Sequence, residues 1–177
     1  MGLKSHFEMM AKYNHWFNGK IYDSASSLSE EILNKDQGAF FKSISGTLNH
    51  IFVADTNWLK RFVTHPKNYS ALSYVVQLPS PKSLDDIMYE KFSELSKERK
   101  KLDEVIINWC AECEEQDYST SIIYSNMKGI EYRENYGSLV QHFFNHQTHH
   151  RGQVSTLLFQ NGIDVGVTDL LAVIRGL

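Results

Sequence analysis

The chain holds three prolines, Pro66, Pro79 and Pro81, and all of them fall within one short segment. Proline removes a backbone donor and biases its predecessor away from helix, so the stretch from about Thr64 to Ser83 must be a long irregular connection. Everything on either side is free to run as long helices. The connection therefore divides the chain into two helical halves.

In the first half, the periodicity predicts one helix from about Lys4 to Leu28 and a second from about Lys42 to Val63. The second carries Ile44, Leu48, Ile51, Phe52, Leu59 and Phe62 along one side, and the two should pack as neighbours. In the second half, Ser83 reads as an N-cap followed by Asp85 and Asp86, opening a long charged helix to about Glu114. Its stripe is Ile87, Phe92, Leu95, Leu102, Val105, Ile106 and Trp109. Between Tyr118 and Arg133 the composition turns β-branched and aromatic. Ile122, Ile123 and Tyr124 can face Ile130 and Tyr132 across a Met127-Lys128-Gly129 turn, which predicts a short hairpin. A last long helix runs from about Tyr136 to Gln160 and stops at Asn161-Gly162. Asp169 to Leu177 forms one more helical piece. The expected fold is all-α, a four-helix bundle with long crossover connections and a short β-hairpin before the last long helix, in a single domain over residues 1–177.

A chain of 177 residues buries a core without metal or disulfide staples, so any metal site would serve chemistry more than folding. The 18 basic and 21 acidic residues, net -3, leave no electrostatic footprint for a phosphate backbone, and nucleic acid is not an expected partner. No apolar run approaches the ~20 residues needed to span a bilayer. Lys4, His6 and Glu8 come too early for a signal-peptide core, and the two cysteines, Cys110 and Cys113, fit a reducing compartment. The expected location is the cytoplasm, away from membranes.

One helix breaks its own pattern. Projected at 100° per residue, Leu139, Phe143, Val154 and Leu157 share a narrow arc that should face the core, and His146 and His150 lie in the same arc. A buried imidazole without a partner costs ~1–3 kcal/mol, so something must satisfy both rings. Their i, i+4 spacing lets two ring nitrogens converge on one cation. His142 cannot join them as a third ligand on the same helix: it is roughly 12 Å from His150 along the axis, whereas nitrogens on one zinc sit ~3–4 Å apart. The third ligand should come from another helix, with His6, His15, His50 and His65 as candidates. His65 sits beside Pro66 in the irregular connection, and periodicity separates His50 poorly from His15 and His6. Asp55, near the centre of the second helix's apolar arc, is a candidate acceptor for a ligand histidine N–H.

Asn145-His146-Gln147-Thr148-His149-His150-Arg151-Gly152-Gln153 resembles the N-H-x-x-x-H-R-G-Q signature of the DinB/YfiT-like family. Leu48-Asn49-His50-Ile51 with Trp58-Leu59 looks like that family's first ligand helix, and Tyr13-Asn14-His15-Trp16-Phe17-Asn18 like its opening helix. The resemblance runs to Gly166-Val167-Thr168-Asp169. It implies a four-helix bundle, a metal bound by His50, His146 and His150, and a homodimer. The ion in such proteins is commonly zinc or nickel. Relatives in the wider superfamily include S-transferases and isomerases that use low-molecular-weight thiols, metal-dependent hydrolases, and damage-inducible or stress-associated proteins.

Three neutral imidazoles leave an ion's charge undiminished and a coordination position open, which suits catalysis. Bound water could acidify to a pKa of ~7 and a thiol would be deprotonated. Gln147 stands where a metalloprotease helix has its glutamate, which disfavours that mechanism. The expected function is thus a metal-dependent transferase of the thiol S-transferase type, or a hydrolase, acting on a small molecule. The alternative is a non-catalytic metal- or ligand-binding protein.

The remaining motifs take structural readings. Trp109-Cys110-Ala111-Glu112-Cys113 has the outline of a thioredoxin motif but closes a charged helix, so packing is expected. Arg151 should pair across a helix interface, Gly152 should permit close helix packing, and Gln153 should hydrogen-bond within the site or to a neighbouring helix. His142 is expected at the pocket and His149 at the helix margin. Lys97 to Lys101 reads as a solvated face.

Overall fold

Four long helices carry about half of the chain in the computed structural model, which describes residues 2–176. They are α1 (Leu3–Ala25), α3 (Ile44–Phe62), α5 (Phe92–Glu112) and α6 (Tyr136–Gln160), with short helices α2 (Glu30–Asn34), α4 (Ser73–Gln77) and α7 (Leu170–Ile174) between and after them. Helix α1 packs on α5 and α6, and α3 packs on α6 and α5, so α1 and α3 stand across the bundle from each other and not as the neighbours expected from the sequence. Their facing stripes bury a continuous core in which Phe62 meets Trp109, Tyr136 and Phe143 with ring centroids 5.2 to 6.0 Å apart. The chain is therefore mostly helical, and no described helix is long and apolar enough to cross a membrane.

The expected hairpin is present as the antiparallel pair β1 (Ser121–Ser125) and β2 (Glu131–Asn135), in which Tyr124 faces Tyr132. Gly129 closes its turn at φ +76°, a left-handed conformation open to glycine at little cost. The boundaries of α6 match the sequence reading. The end of α1 falls three residues short of Leu28.

The proline segment differs from its expected form in two ways. It contains a 3₁₀ turn at Ser70–Leu72 leading into α4, so it is not irregular throughout. More importantly, it does not end at Ser83. Helix α5 begins only at Phe92, Ser83 donates its hydroxyl to Asp85, and Asp86 accepts the backbone N–H of Lys82. The acidic side chains that suggested a capped helix start instead close turns of a loop, the competing use of Ser and Asp near backbone donors. Ile87 consequently lies outside α5 and is 48% exposed.

Candidate metal centre

The amino end of α3 is held by Ser43, whose hydroxyl accepts the N–H of Gly46 at 3.0 Å. A Cβ on Gly46 would sit 2.1 Å from the carbonyl oxygen of Phe41, so only glycine allows the preceding turn to close onto this helix. Lys42 in that turn adopts φ +66°, and the turn brings the ring of Phe41 flat against His50, centroids 3.7 Å apart. On the other side, Asn49 clamps the 84–90 loop. Its side-chain nitrogen donates to the carbonyl of Tyr89 and its oxygen accepts the N–H of Tyr89, both at 3.1 Å. The loop thereby delivers the Leu84 carbonyl to within 2.7 Å of His50 Nδ1.

His50 Nε2 points across to α6, where it lies 3.2 Å from His146 Nε2 and 3.2 Å from His150 Nε2. The three donor nitrogens all fall within 4.8 Å of one another, a cluster that could hold a metal ion. His50 and His150 are buried and His146 half-buried. A carbonyl can only accept, so His50 carries its proton on Nδ1 and presents a lone pair at Nε2. His150 is set the same way by Gln153, whose Oε1 lies 2.7 Å from Nδ1. Two acceptor nitrogens 3.2 Å apart with no hydrogen between them repel unless a cation sits where the lone pairs converge. The spacing also fits one: nitrogens bonded tetrahedrally to a single zinc are about 3.3 Å apart.

The protonation states agree with this role. Burial lowers the pKa of all three rings, against the pull of the Leu84 carbonyl at His50 and of Gln153 at His150. His146, desolvated and facing the other histidines, is pushed down to about 3. The triad is neutral at pH 7 and needs to shed no proton before taking up an ion. His146 Nδ1 is buried without a partner, unlike its two neighbours.

Of the other histidines, His15 and His149 are exposed, His6 pairs with Gln141, and the buried His65 pairs with Thr120. The structure thus brings His50, His146 and His150 together and leaves the other candidates apart. His142 lies against Trp58 beside the centre. Asp55 is not an acceptor for a histidine. It accepts Gln147 Nε2 at 2.8 Å and Arg99 Nη1 at 2.5 Å, one layer deeper. Arg99 also lies 2.8 Å from Asp103, which accepts from Asn14 and Asn18 on α1. Arg99 is fully buried, which corrects the reading of Lys97 to Lys101 as a solvated face. It stands one turn after Leu95 and almost one before Leu102, in phase with the buried stripe, and that phase was the available signal. Arg151 donates to Asn14 and lies over Phe17, 5.0 Å to its centroid, a structural role with an amide partner. Gly152 is exposed, and a Cβ there would meet nothing, so it does not mediate close packing. Phe41 and Leu84 were invisible to periodicity because both act from loops.

Two cavities meet at His50 and Leu84. One, of about 530 Å³, is lined by Phe40, Phe41, Asp85 and Ile87. The other, of about 500 Å³, runs past Trp58, Arg61 and His142 to the hairpin turn. The profile of the DinB family matches residues 1–176. The chain belongs to the DinB family. It is 28% identical over 160 residues to a curated relative described as Protein DinB of Bacillus subtilis (strain 168), covering 89% of this chain and 87% of that one. No solved structure matches it significantly.

Proposed function

We propose that this DinB-family chain binds one divalent ion, zinc or nickel, through His50, His146 and His150, and acts as a metal-dependent transferase or hydrolase on a small molecule. The observation that carries the reading is the 3.2 Å approach of His50 Nε2 to His150 Nε2, both fixed as acceptors by partners on their Nδ1 atoms. The packing of each long helix on two others supports the four-helix bundle expected from the sequence, and a homodimer is proposed from the family resemblance.

An ion held by three neutral imidazoles supplies Lewis acidity, enough to deprotonate a thiol or water near neutral pH. The chain's own residues do the rest. Leu84 and Gln153 hold two rings in one tautomer, Phe41 shields His50 from water, and the two cavities leave an approach to the centre. Asp85 lines the first cavity but is a poor general base, because the Ser83 hydroxyl and a backbone N–H hold its carboxyl below the usual range. A thiol nucleophile, which needs no separate base once ionised, therefore fits better than base-assisted attack by water.

Metal analysis of tag-free protein tests the reading. About one ion per chain is expected in wild type, lost in each of His50→Ala, His146→Ala and His150→Ala at equal folded fraction. Wild type that takes up no zinc or nickel on reconstitution would falsify it. With metal in place, thiol-dependent turnover of an electrophile that vanishes on chelation separates the enzyme from a metal-binding protein without activity.

A further inference from the structure

Arg61 lies on α3 in the wall of the second cavity, half-buried between two aromatic rings. Its guanidinium carbon is 4.5 Å from the centroid of Trp58 and 5.1 Å from that of Tyr124. Among the described residues no carboxylate lies within 4.0 Å of it, although Arg99 and the paired lysines Lys4, Lys67, Lys91 and Lys101 each have one. Desolvation lowers its pKa, so the cation is held where its charge is uncompensated. An arginine on the surface loses little by standing alone; one drawn into an aromatic wall has given up hydration without a counter-charge. Donors share the cavity: Lys128 from the hairpin turn and Asn57, whose buried side-chain nitrogen has no acceptor.

Trp58 follows His50 by eight residues, roughly 12 Å of helix. The guanidinium over Trp58 thus stands about two turns along α3 from His50, in the wall of the same cavity. We infer that this cavity takes an elongated small molecule whose reacting group lies at the histidines and whose other end is an oxyanion, a carboxylate or a phosphate, received by Arg61. The reacting end of this inference rests on the metal reading above, and the anionic end stands on Arg61 alone.

Cobalt-substituted protein titrated with 8-mercaptooctanoate and with 8-mercaptooctanol tests both ends, because the thiol alters the cobalt spectrum and the tails differ only in charge. The acid should bind at least tenfold more tightly than the alcohol. Arg61→Gln should remove that preference while leaving cobalt uptake and alcohol binding unchanged. Equal affinities in wild type, with cobalt bound, overturn the inference and leave the metal reading intact. If neither zinc, nickel nor cobalt is taken up, the metal reading fails, and intrinsic tryptophan fluorescence with octanoate, octyl phosphate and octanol decides the anionic end: either anion favoured over the alcohol supports it, and no preference overturns it. The two anions tell a carboxylate from a phosphate.

Discussion

Two polar clusters bridge α3 and α6 within a few residues of each other, and they are built on opposite principles. In the deeper one, Asp55, Arg99, Asp103 and Gln147 pair donors with acceptors and positive with negative charge. In the outer one, His50 and His150 turn acceptors toward one another, each fixed in that state from behind, and His146 Nε2 joins them. The first cluster pairs its charges within the chain, leaving Asp55 Oδ1, Gln147 Oε1 and Arg99 Nε buried without a hydrogen-bond partner. The second sets like acceptors against each other and could be satisfied by a cation, and this difference in charge pairing separates the two clusters more sharply than burial does. They also work together, since Gln147 and Asp55 fix how α6 sits against α3 and so how the histidines meet.

The largest effect expected from breaking the contrast falls on stability. Arg99→Ala leaves two buried carboxylates uncompensated and should cost about 3–5 kcal/mol in urea unfolding. His146→Leu, in metal-free protein, should change stability by less than about 1 kcal/mol, because it removes an orphaned ring nitrogen along with a half-buried ring. The Arg99→Ala deficit should also depend on pH. Burial already pushes Asp55 up to about 6, with Arg99 opposing, and without Arg99 the folded-state value rises further. A folded pKa above the unfolded one adds stability at low pH that is lost as pH rises through the folded value, so the deficit should widen from pH 5 to pH 8. A deficit that is flat or narrows over that range would show that Arg99 does not act through these carboxylates.

Much of this was legible in the sequence, and the residues show why. The i, i+4 pair of His146 and His150 interrupts an apolar stripe, so both the site and its helix stand out. The whole extent of α6 follows from periodicity and the Asn161-Gly162 stop. His50 was different: periodicity separated it poorly from His15 and His6, and its place mid-way along the second helix favoured it less than the motif resemblance did. The structure supplies the physical reason in Asn49, whose clamp on Tyr89 sets the loop that orients the ring. Ser83 misled because serine and acidic side chains serve loop turns as well as helix caps. Arg99 was hidden inside a run of charges whose phase, not composition, decided its burial.

A smaller effect sharpens the comparison from the metal side. Gln153→Leu removes the acceptor that fixes the His150 tautomer while leaving Nε2 in place, so zinc affinity should fall by about 10–100-fold without loss of the fold. Competition with a chromophoric chelator measures it, and an unchanged affinity would mean that the ring is held by packing alone.

The smallest effect is a missing one, the pH dependence of zinc affinity near neutrality. A solvated histidine begins to bind protons in place of metal as pH falls toward its pKa of about 6.5. Here burial lowers the values of His50 and His150, and His146 is pushed down to about 3. No proton has to be displaced between pH 8 and 6.5, so affinity should stay level there and fall only at lower pH, as His50 and His150 begin to titrate. The same chelator competition run from pH 8 to 5 reads this directly. A decline already under way above pH 6.5 would place the rings in water, against the burial that sets the acceptors of His50 and His150 toward one another.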